Sequence, residues 1–255
     1  MDDLRPYQRE AVDFIKARHA STVDALRRPR IILASPTGSG KTQIAAAVIH
    51  ERQPSTQGDA LFVTDRIVLS DQAYSRFTTS GLAAGLMQGD RKLRLINEDV
   101  LVGTAQTFAR RRLDPPRLVF IDEVHYLHGW HRRMLDTWRE TMFVGLTATP
   151  ERKGLAKYFD EMHPVTTIAE LIQAGYLVPF MCYGPSTPDL TKVKVVNGDY
   201  HKGSLSRAMC DARIVGDVVA TWQRMAAERK TIVFGVDIAH VKELVYLFCA
   251  PEIAP

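Results

Sequence analysis

Two stretches of this 255-residue chain combine residue types that could act on a phosphate ester. Residues 35–42 read Ser-Pro-Thr-Gly-Ser-Gly-Lys-Thr, between the apolar run Ile31-Ile32-Leu33-Ala34 and an alanine-rich segment. A strand, a glycine-bearing turn and a helix in that order let backbone N–H groups converge on phosphate oxygens at the helix N-terminus. Gly38 and Gly40 allow the chain to curl, and Pro36, Thr37 and Ser39 complete the loop. Lys41 could reach the β and γ phosphates of a nucleoside triphosphate, and the Thr42 hydroxyl could ligate Mg²⁺. Ser35 stands where the general pattern has glycine.

The second stretch, residues 118–125, reads Leu-Val-Phe-Ile-Asp-Glu-Val-His. It places Asp122 and Glu123 at the end of a buried apolar strand, the sheet edge where ligands bind in open α/β folds. Asp122 would hold Mg²⁺, through water, and Glu123 would orient and deprotonate an attacking water. Acidic residues after a strand also commonly cap the next helix. The lysine-bearing loop roughly 80 residues earlier favours hydrolysis, because a nucleoside triphosphatase needs both halves of its site.

The elements that must position these groups follow from hydrophobic patterning. Short β-branched and leucine runs at 31–34, 60–64, 100–103, 118–121 and 143–146 read as strands buried on both faces. Segments 42–51, 67–78 and 130–140 have helical spacing. Their alternation predicts an α/β fold, a parallel sheet with helices on both faces, over residues 1–150. Residues 151–188, interrupted by Pro164, Pro179, Pro185 and Pro188, read as a connector. A second α/β unit then begins in 189–255: helix 212–228, strand 231–234 and helix 238–248, too few elements to close another sheet.

Composition narrows the function classes. Apolar residues make up 45% of the chain, which argues against disorder. No apolar run approaches the ~18 residues that span a bilayer, and the acidic N-terminus lacks the layout of a signal peptide, so no membrane partner and a cytoplasmic location are expected. Cys182, Cys210 and Cys249 lack metal-site spacing and read as reduced and structural. The net charge is +4, and residues 1–150 carry 21 Lys and Arg against 17 Asp and Glu. Basic clusters at 27–30, 91–94, 110–112 and 132–133 could pair with phosphates, although such runs are more often solvated faces.

With these residues in hand, the chain resembles the superfamily 2 helicases. Residues 35–42 resemble that family's motif I, in which a small residue is usual at Ser35. Asp122-Glu123-Val124-His125 looks like the DEXH form of motif II, and Gly145-Leu146-Thr147-Ala148-Thr149-Pro150 resembles motif III. The resemblance implies a RecA-like P-loop sheet, an ATP and Mg²⁺ site in which Lys41, Asp122, Glu123 and His125 act catalytically, and coupling of nucleotide to nucleic acid through Thr147 and Thr149 contacting His125. Leu4-Arg5-Pro6-Tyr7-Gln8 is similar to the adenine-reading segment, with Gln8 bonding the base and Arg5 and Tyr7 flanking it. Read by itself, that segment is the start of an amphipathic helix.

Residues 63–69 resemble motif Ia and residues 102–107 motif Ib. In the family these loops present side chains to nucleic-acid phosphates, which implies Arg66, Thr104, Gln106 and Thr107 here, contacts that position without reading sequence. Thr64-Asp65 departs from the proline usual in motif Ia. Residues 231–240 are similar to motif IV, and residues 210–222 look like a phage or prophage branch related to the XPB and restriction-enzyme translocases.

The resemblance implies DNA, duplex or single-stranded, as partner. It also implies a Gln-x-x-Gly-Arg-x-x-Arg segment in the second sheet, whose arginines stabilise the transferring phosphoryl group, and the sequence holds none after His240. Such an arginine raises the rate by roughly 10³ to 10⁵. The chain is therefore expected to bind ATP better than it hydrolyses it, as a truncated or split motor whose C-terminal half would be a partner. The motor part of a restriction subunit and an ATP-binding remnant remain alternatives. A DEAD-box RNA enzyme would carry Asp-Glu-Ala-Asp at 122–125 and Ser-Ala-Thr at 147–149.

Overall fold

The computed structural model describes residues 4–20, 28–52, 60–95, 97–151, 154–182, 189–196, 199–209 and 212–249, without the side chains of 212–217. Cys210, Arg27, Pro185, Pro188 and residues 251–255 lie outside the described residues. The chain forms two compact units, Met1–Pro179 and Phe180–Pro255.

The first unit runs α1 (Pro6–Ala20), β1 (Arg30–Ala34), α2 (Lys41–Glu51), β2 (Ala60–Thr64), α3 (Ile67–Thr79), β3 (Ala84–Gln88), β4 (Arg91–Leu93), β5 (Val100–Thr104), α4 (Ala105–Ala109), β6 (Leu118–Asp122), α5 (Gly129–Thr137), β7 (Met142–Thr147), a 3-10 turn (Leu155–Lys157), β8 (Glu161–Pro164) and α6 (Ile168–Gln173). The strands form one sheet in the order β4-β3-β5-β2-β6-β7-β1-β8. All its pairings are parallel except the antiparallel β3–β4 edge.

Successive strand residues point to opposite faces, and both faces are buried, so each strand feeds two cores. Ile31, Leu33, Phe62, Phe120, Val144 and Leu146 join α1, α2 and α3 in one layer. Ile32, Leu61, Val63, Val119, Ile121 and Phe143 join α4 and α5 in the other. Helix spacing matches: α1 buries Gln8, Ala11, Val12 and Ile15, and α3 buries Ser70, Ala73 and Phe77. The Phe62 ring meets Phe77 edge-on at 5.1 Å, a contact whose truncation to alanine would cost about 3–5 kcal/mol.

The sheet has three strands beyond the five expected. β3 carries no strand signal because Ala84-Gly85-Leu86-Met87-Gln88 has poor strand propensity. Gly85 is needed there, since a Cβ would collide with the buried Glu98 carboxylate. β4 is a three-residue exposed edge. β8, within the segment expected to be irregular, pairs only with β1 and ends at Pro164, where a missing N–H is tolerated. The first unit thus extends past residue 150 into the expected connector.

The second unit contains a short hairpin, β9 (Val195–Val196) with β10 (Asp199–Tyr200), then α7 (Lys202–Met209), α8 (Ala212–Ala226) and α9 (Ile238–Phe248). The expected strand 231–234 does not form; Ile232 is 80% and Phe234 88% exposed. An apolar run becomes a strand only where a neighbour pairs its backbone, and among the described residues no parallel strand lies beside it. Instead Trp222 Nε1 donates to Thr231 Oγ1 at 2.8 Å, and the Trp222 ring meets Phe248 at 5.1 Å. Cys182 and Cys249 are free thiols, as expected of reduced cysteines, and both are exposed.

Candidate active site

The carboxyl ends of β5, β2, β6, β7 and β1 are consecutive in the sheet, so the loops that follow them share one edge. The loop after β1 begins by prolonging the ladder: Ser35 N donates to Thr147 O at 2.9 Å. Ser35 is 2% exposed, and its hydroxyl donates to Ser39 Oγ at 2.7 Å, which donates on to Pro36 O at 2.7 Å. Serine in place of glycine thus supplies an internal strut. Gly38 and Gly40 both have φ of +83°, the left-handed region that an L side chain rarely adopts. A Cβ on Gly40 would also run into the Gln8 amide.

Lys41 opens α2, and its ammonium donates to Ser35 O at 3.2 Å and Pro36 O at 3.3 Å, which aims it into the concave side of the loop. Thr42 follows in the first helical turn, where backbone N–H groups lack intrahelical acceptors. Pro36, Lys41 and Thr42 are half-buried, while Thr37 and Gly38 are exposed. A curled backbone, a cation and a hydroxyl at a helix N-terminus fit a polyphosphate.

Arg5, Tyr7 and Gln8 dock on this loop. Gln8 Nε2 donates to Ser39 O at 2.8 Å, Tyr7 OH donates to the same carbonyl at 2.9 Å, and Arg5 N donates to Gln8 Oε1 at 3.0 Å. At 4% exposure, Gln8 is first a brace between α1 and the loop, with one amide hydrogen and one lone pair left over. Tyr176, which belongs to none of the sequence motifs, lies under the Arg5 guanidinium, 4.1 Å from it to the ring centroid.

Asp122 ends β6, and Glu123 follows with φ of +49°, the one non-glycine residue with positive φ among those described. Such a backbone costs on the order of 1–3 kcal/mol. Burial, and then the Glu123 charge, push the Asp122 carboxyl up to about 6 against the pull of Lys41 and of the Glu123 N–H. Lys41 and Asp122 are therefore close enough to feel each other's charge. A cation placed between them and a phosphate would relieve the strained ionisation of Asp122, so the donor set fits Mg²⁺. Among the described residues no group of three or more His, Cys, Asp or Glu could hold a metal unaided.

His125 Nδ1 lies 3.3 Å from Glu123 Oε2 and 2.9 Å from Thr147 Oγ1. Thr149 contributes differently from the expectation. Its hydroxyl does not reach His125; its backbone N–H donates to Thr147 Oγ1 at 3.0 Å. The β6 loop sits so close to β7 because Gly145 has no side chain. A Cβ there would stand 2.8 Å from Val124 Cγ1.

The residues expected to meet phosphates divide. Arg66 and Gln106 are exposed. Thr104 and Thr107 are 5% and 7% exposed and face inward, against the expectation. Thr104 Oγ1 caps α4 by accepting from Thr107 N at 3.3 Å and lies 2.8 Å from Thr107 Oγ1, which accepts from Gly89 N at 2.9 Å. Asp65 is held by His128, whose Nε2 is 3.3 Å away, and burial raises its pKa.

Comparison with known proteins gives a consistent answer. A family model described as type III restriction enzyme, res subunit, matches residues 2–152. The chain is 28% identical over 209 residues, 80% of its length, to a 51.5 kDa protein of a Lactococcus phage. It is 28% identical, over an aligned stretch of 277 positions that covers 96% of this chain, to the putative ATP-dependent helicase IRC3 of Saccharomyces cerevisiae. It spans 43% and 39% of those two relatives. Among solved structures, a nuclease-deletion mutant of the type ISP restriction-modification enzyme LlaGI, in complex with a DNA substrate mimic, matches with a TM-score of 0.53. That match, 14% identical over 69% of this chain and 21% of the other, shows a shared fold.

Proposed function

The chain belongs to the family described as type III restriction enzyme, res subunit, and is a helicase-family motor domain; from that membership we propose that it is a nucleic-acid-stimulated ATPase acting on DNA. The observation that carries this reading is the junction of Lys41, Asp122, Glu123, His125 and Thr147 at the ends of neighbouring strands β1, β6 and β7.

In this reading the 35–42 loop holds the polyphosphate of ATP, with Lys41 against the β and γ phosphates. Thr42 and Asp122 would hold Mg²⁺, which neutralises charge on those phosphates. Glu123 accepts the proton of the attacking water. Its orientation depends on His125, which Thr147 fixes in turn, so a shift at the end of β7 alters where Glu123 points. Arg66 and Gln106, exposed along the same edge, would meet backbone phosphates. Thr104 and Thr107 act only by shaping the loop that carries Gln106.

DNA is favoured over RNA because the DEVH and Thr-Ala-Thr segments differ from those of DEAD-box RNA enzymes, and LlaGI, which shares the fold, was solved with a DNA mimic. The segment 189–255 is assigned as the start of a second RecA-like domain. The family description also supports a second reading, the motor part of a restriction system.

Single-turnover ATP hydrolysis measured with duplex DNA, single-stranded DNA and RNA tests the assignment. DNA-stimulated turnover that disappears in Lys41→Ala supports it. Turnover that ignores DNA, or that RNA stimulates more strongly, overturns it.

A further inference from the structure

The segment that closes the first unit is built against the nucleotide loop. Helix α6 starts with a reciprocal cap in which Thr167 and Glu170 bond each other's backbone N–H, and Gly175, with φ of +74°, turns the chain at its end. Tyr176 N and Leu177 N both donate to Leu171 O, at 2.8 and 3.1 Å, which fixes the turn. Leu177 Cδ2 lies 3.1 Å from where a Cβ on Gly38 would be. Tyr176, 39% exposed, reaches Arg5 and Tyr7 instead of a core.

These contacts hold Arg5 in one orientation. The Tyr176 ring covers one guanidinium face at 4.1 Å, and Arg5 Nη1 donates to the Tyr7 hydroxyl at 2.9 Å, which is itself anchored on Ser39 O. The Tyr7 and Tyr176 rings meet edge-on at 6.1 Å. A planar group stacked on one face has one face left. A free arginine would have to be ordered when a ligand arrives, whereas here the ordering is already done.

We infer that Tyr176 is a positioning residue for nucleobase recognition, holding the Arg5 guanidinium flat so that its open face stacks on the adenine of a nucleotide in the 35–42 loop. The inference rests on reading residues 4–8 as the base-reading segment. Tyr176 does not touch phosphate, so its effect is confined to the part of the affinity that comes from the base.

The test compares Mg²⁺-ATP with inorganic tripolyphosphate, which lacks a base, by calorimetric titration of the full chain. In the wild type ATP binds more tightly than tripolyphosphate. Tyr176→Ala shrinks that ratio by about threefold to tenfold, the range of a cation–π contact, and leaves tripolyphosphate affinity unchanged. Tyr176→Phe retains the ring and the ratio. Arg5→Ala loses as much as Tyr176→Ala, and the double variant loses no more than either, because both act through one stack. A wild-type ratio kept by Tyr176→Ala overturns the inference, as does an equal loss for both ligands, which would mark a structural role at the loop. If wild type itself does not distinguish the two ligands, the base-reading assignment of residues 4–8 fails instead.

Discussion

Nδ1 of His125 lies 2.9 Å from the hydroxyl of Thr147, so the end of β6 and the end of β7 are joined through a single side-chain pair. The same imidazole nitrogen is 3.3 Å from Glu123, and Thr147 is fully buried, accepting the Thr149 N–H as well. The carboxylate proposed to activate water is therefore tied to the loop that leaves β7 by a three-residue relay.

Thr147→Val keeps the volume of the side chain and removes the hydroxyl. The variant should lose about 0.5–1.5 kcal/mol of stability for each of the hydrogen bonds its hydroxyl makes, with His125 and with the Thr149 N–H. It should bind ATP within about twofold of wild type while losing at least about tenfold in DNA-stimulated turnover, because only the orientation of His125 and Glu123 changes. Paired binding and turnover assays check this; equal losses in both would show that Thr147 serves the loop and not the relay.

Gly145→Ala should be harmful for a local reason: its methyl would stand 2.8 Å from Val124 Cγ1 and push the carboxylate loop away from β7. A loss of about 1–3 kcal/mol in chemical denaturation is expected. Adding Val124→Ala should recover part of the stability and of the ATPase activity, since the clash is with that side chain. No recovery in the double variant would contradict the contact.

His131 gives the fold an acid sensitivity. It is 1% exposed, its Nδ1 accepts the His128 N–H at 3.1 Å, and burial, with a smaller push from His128, lowers its pKa to about 4. A histidine whose folded value is depressed contributes full stability above its unfolded value and loses it as pH falls toward the folded value. Wild type should thus lose about 2 kcal/mol from this group between about pH 7.5 and about pH 5. Denaturation of His131→Gln at both pH values should show a fall smaller by that amount, and an identical fall would rule out the buried neutral imidazole.

What could be read from sequence follows the locality of each feature. The phosphate loop is legible because Gly38, Gly40, Lys41 and Thr42 do their work within one turn of chain, and the carboxylates because an apolar strand ends on them. Side-chain direction is not legible in the same way. Thr104 and Thr107 face inward because α4 needs a cap and Gly89, from a different hairpin, needs an acceptor. β3 was hidden by a glycine that makes room for Glu98, and residues 231–234 have strand composition without a strand beside them. Tyr176 carries no signal near the motifs it joins, because its partners Arg5 and Tyr7 come from the other end of the unit.

The most direct test of the account is equilibrium titration of the chain with ATP in the presence of Mg²⁺, beside Lys41→Ala. Saturable one-to-one binding by the wild type, weakened at least about tenfold by removing the Lys41 ammonium from its phosphate contacts, is the predicted result. Absence of ATP binding by the wild type, or equal binding by the variant, would contradict the assignment of residues 35–42 as a nucleotide loop.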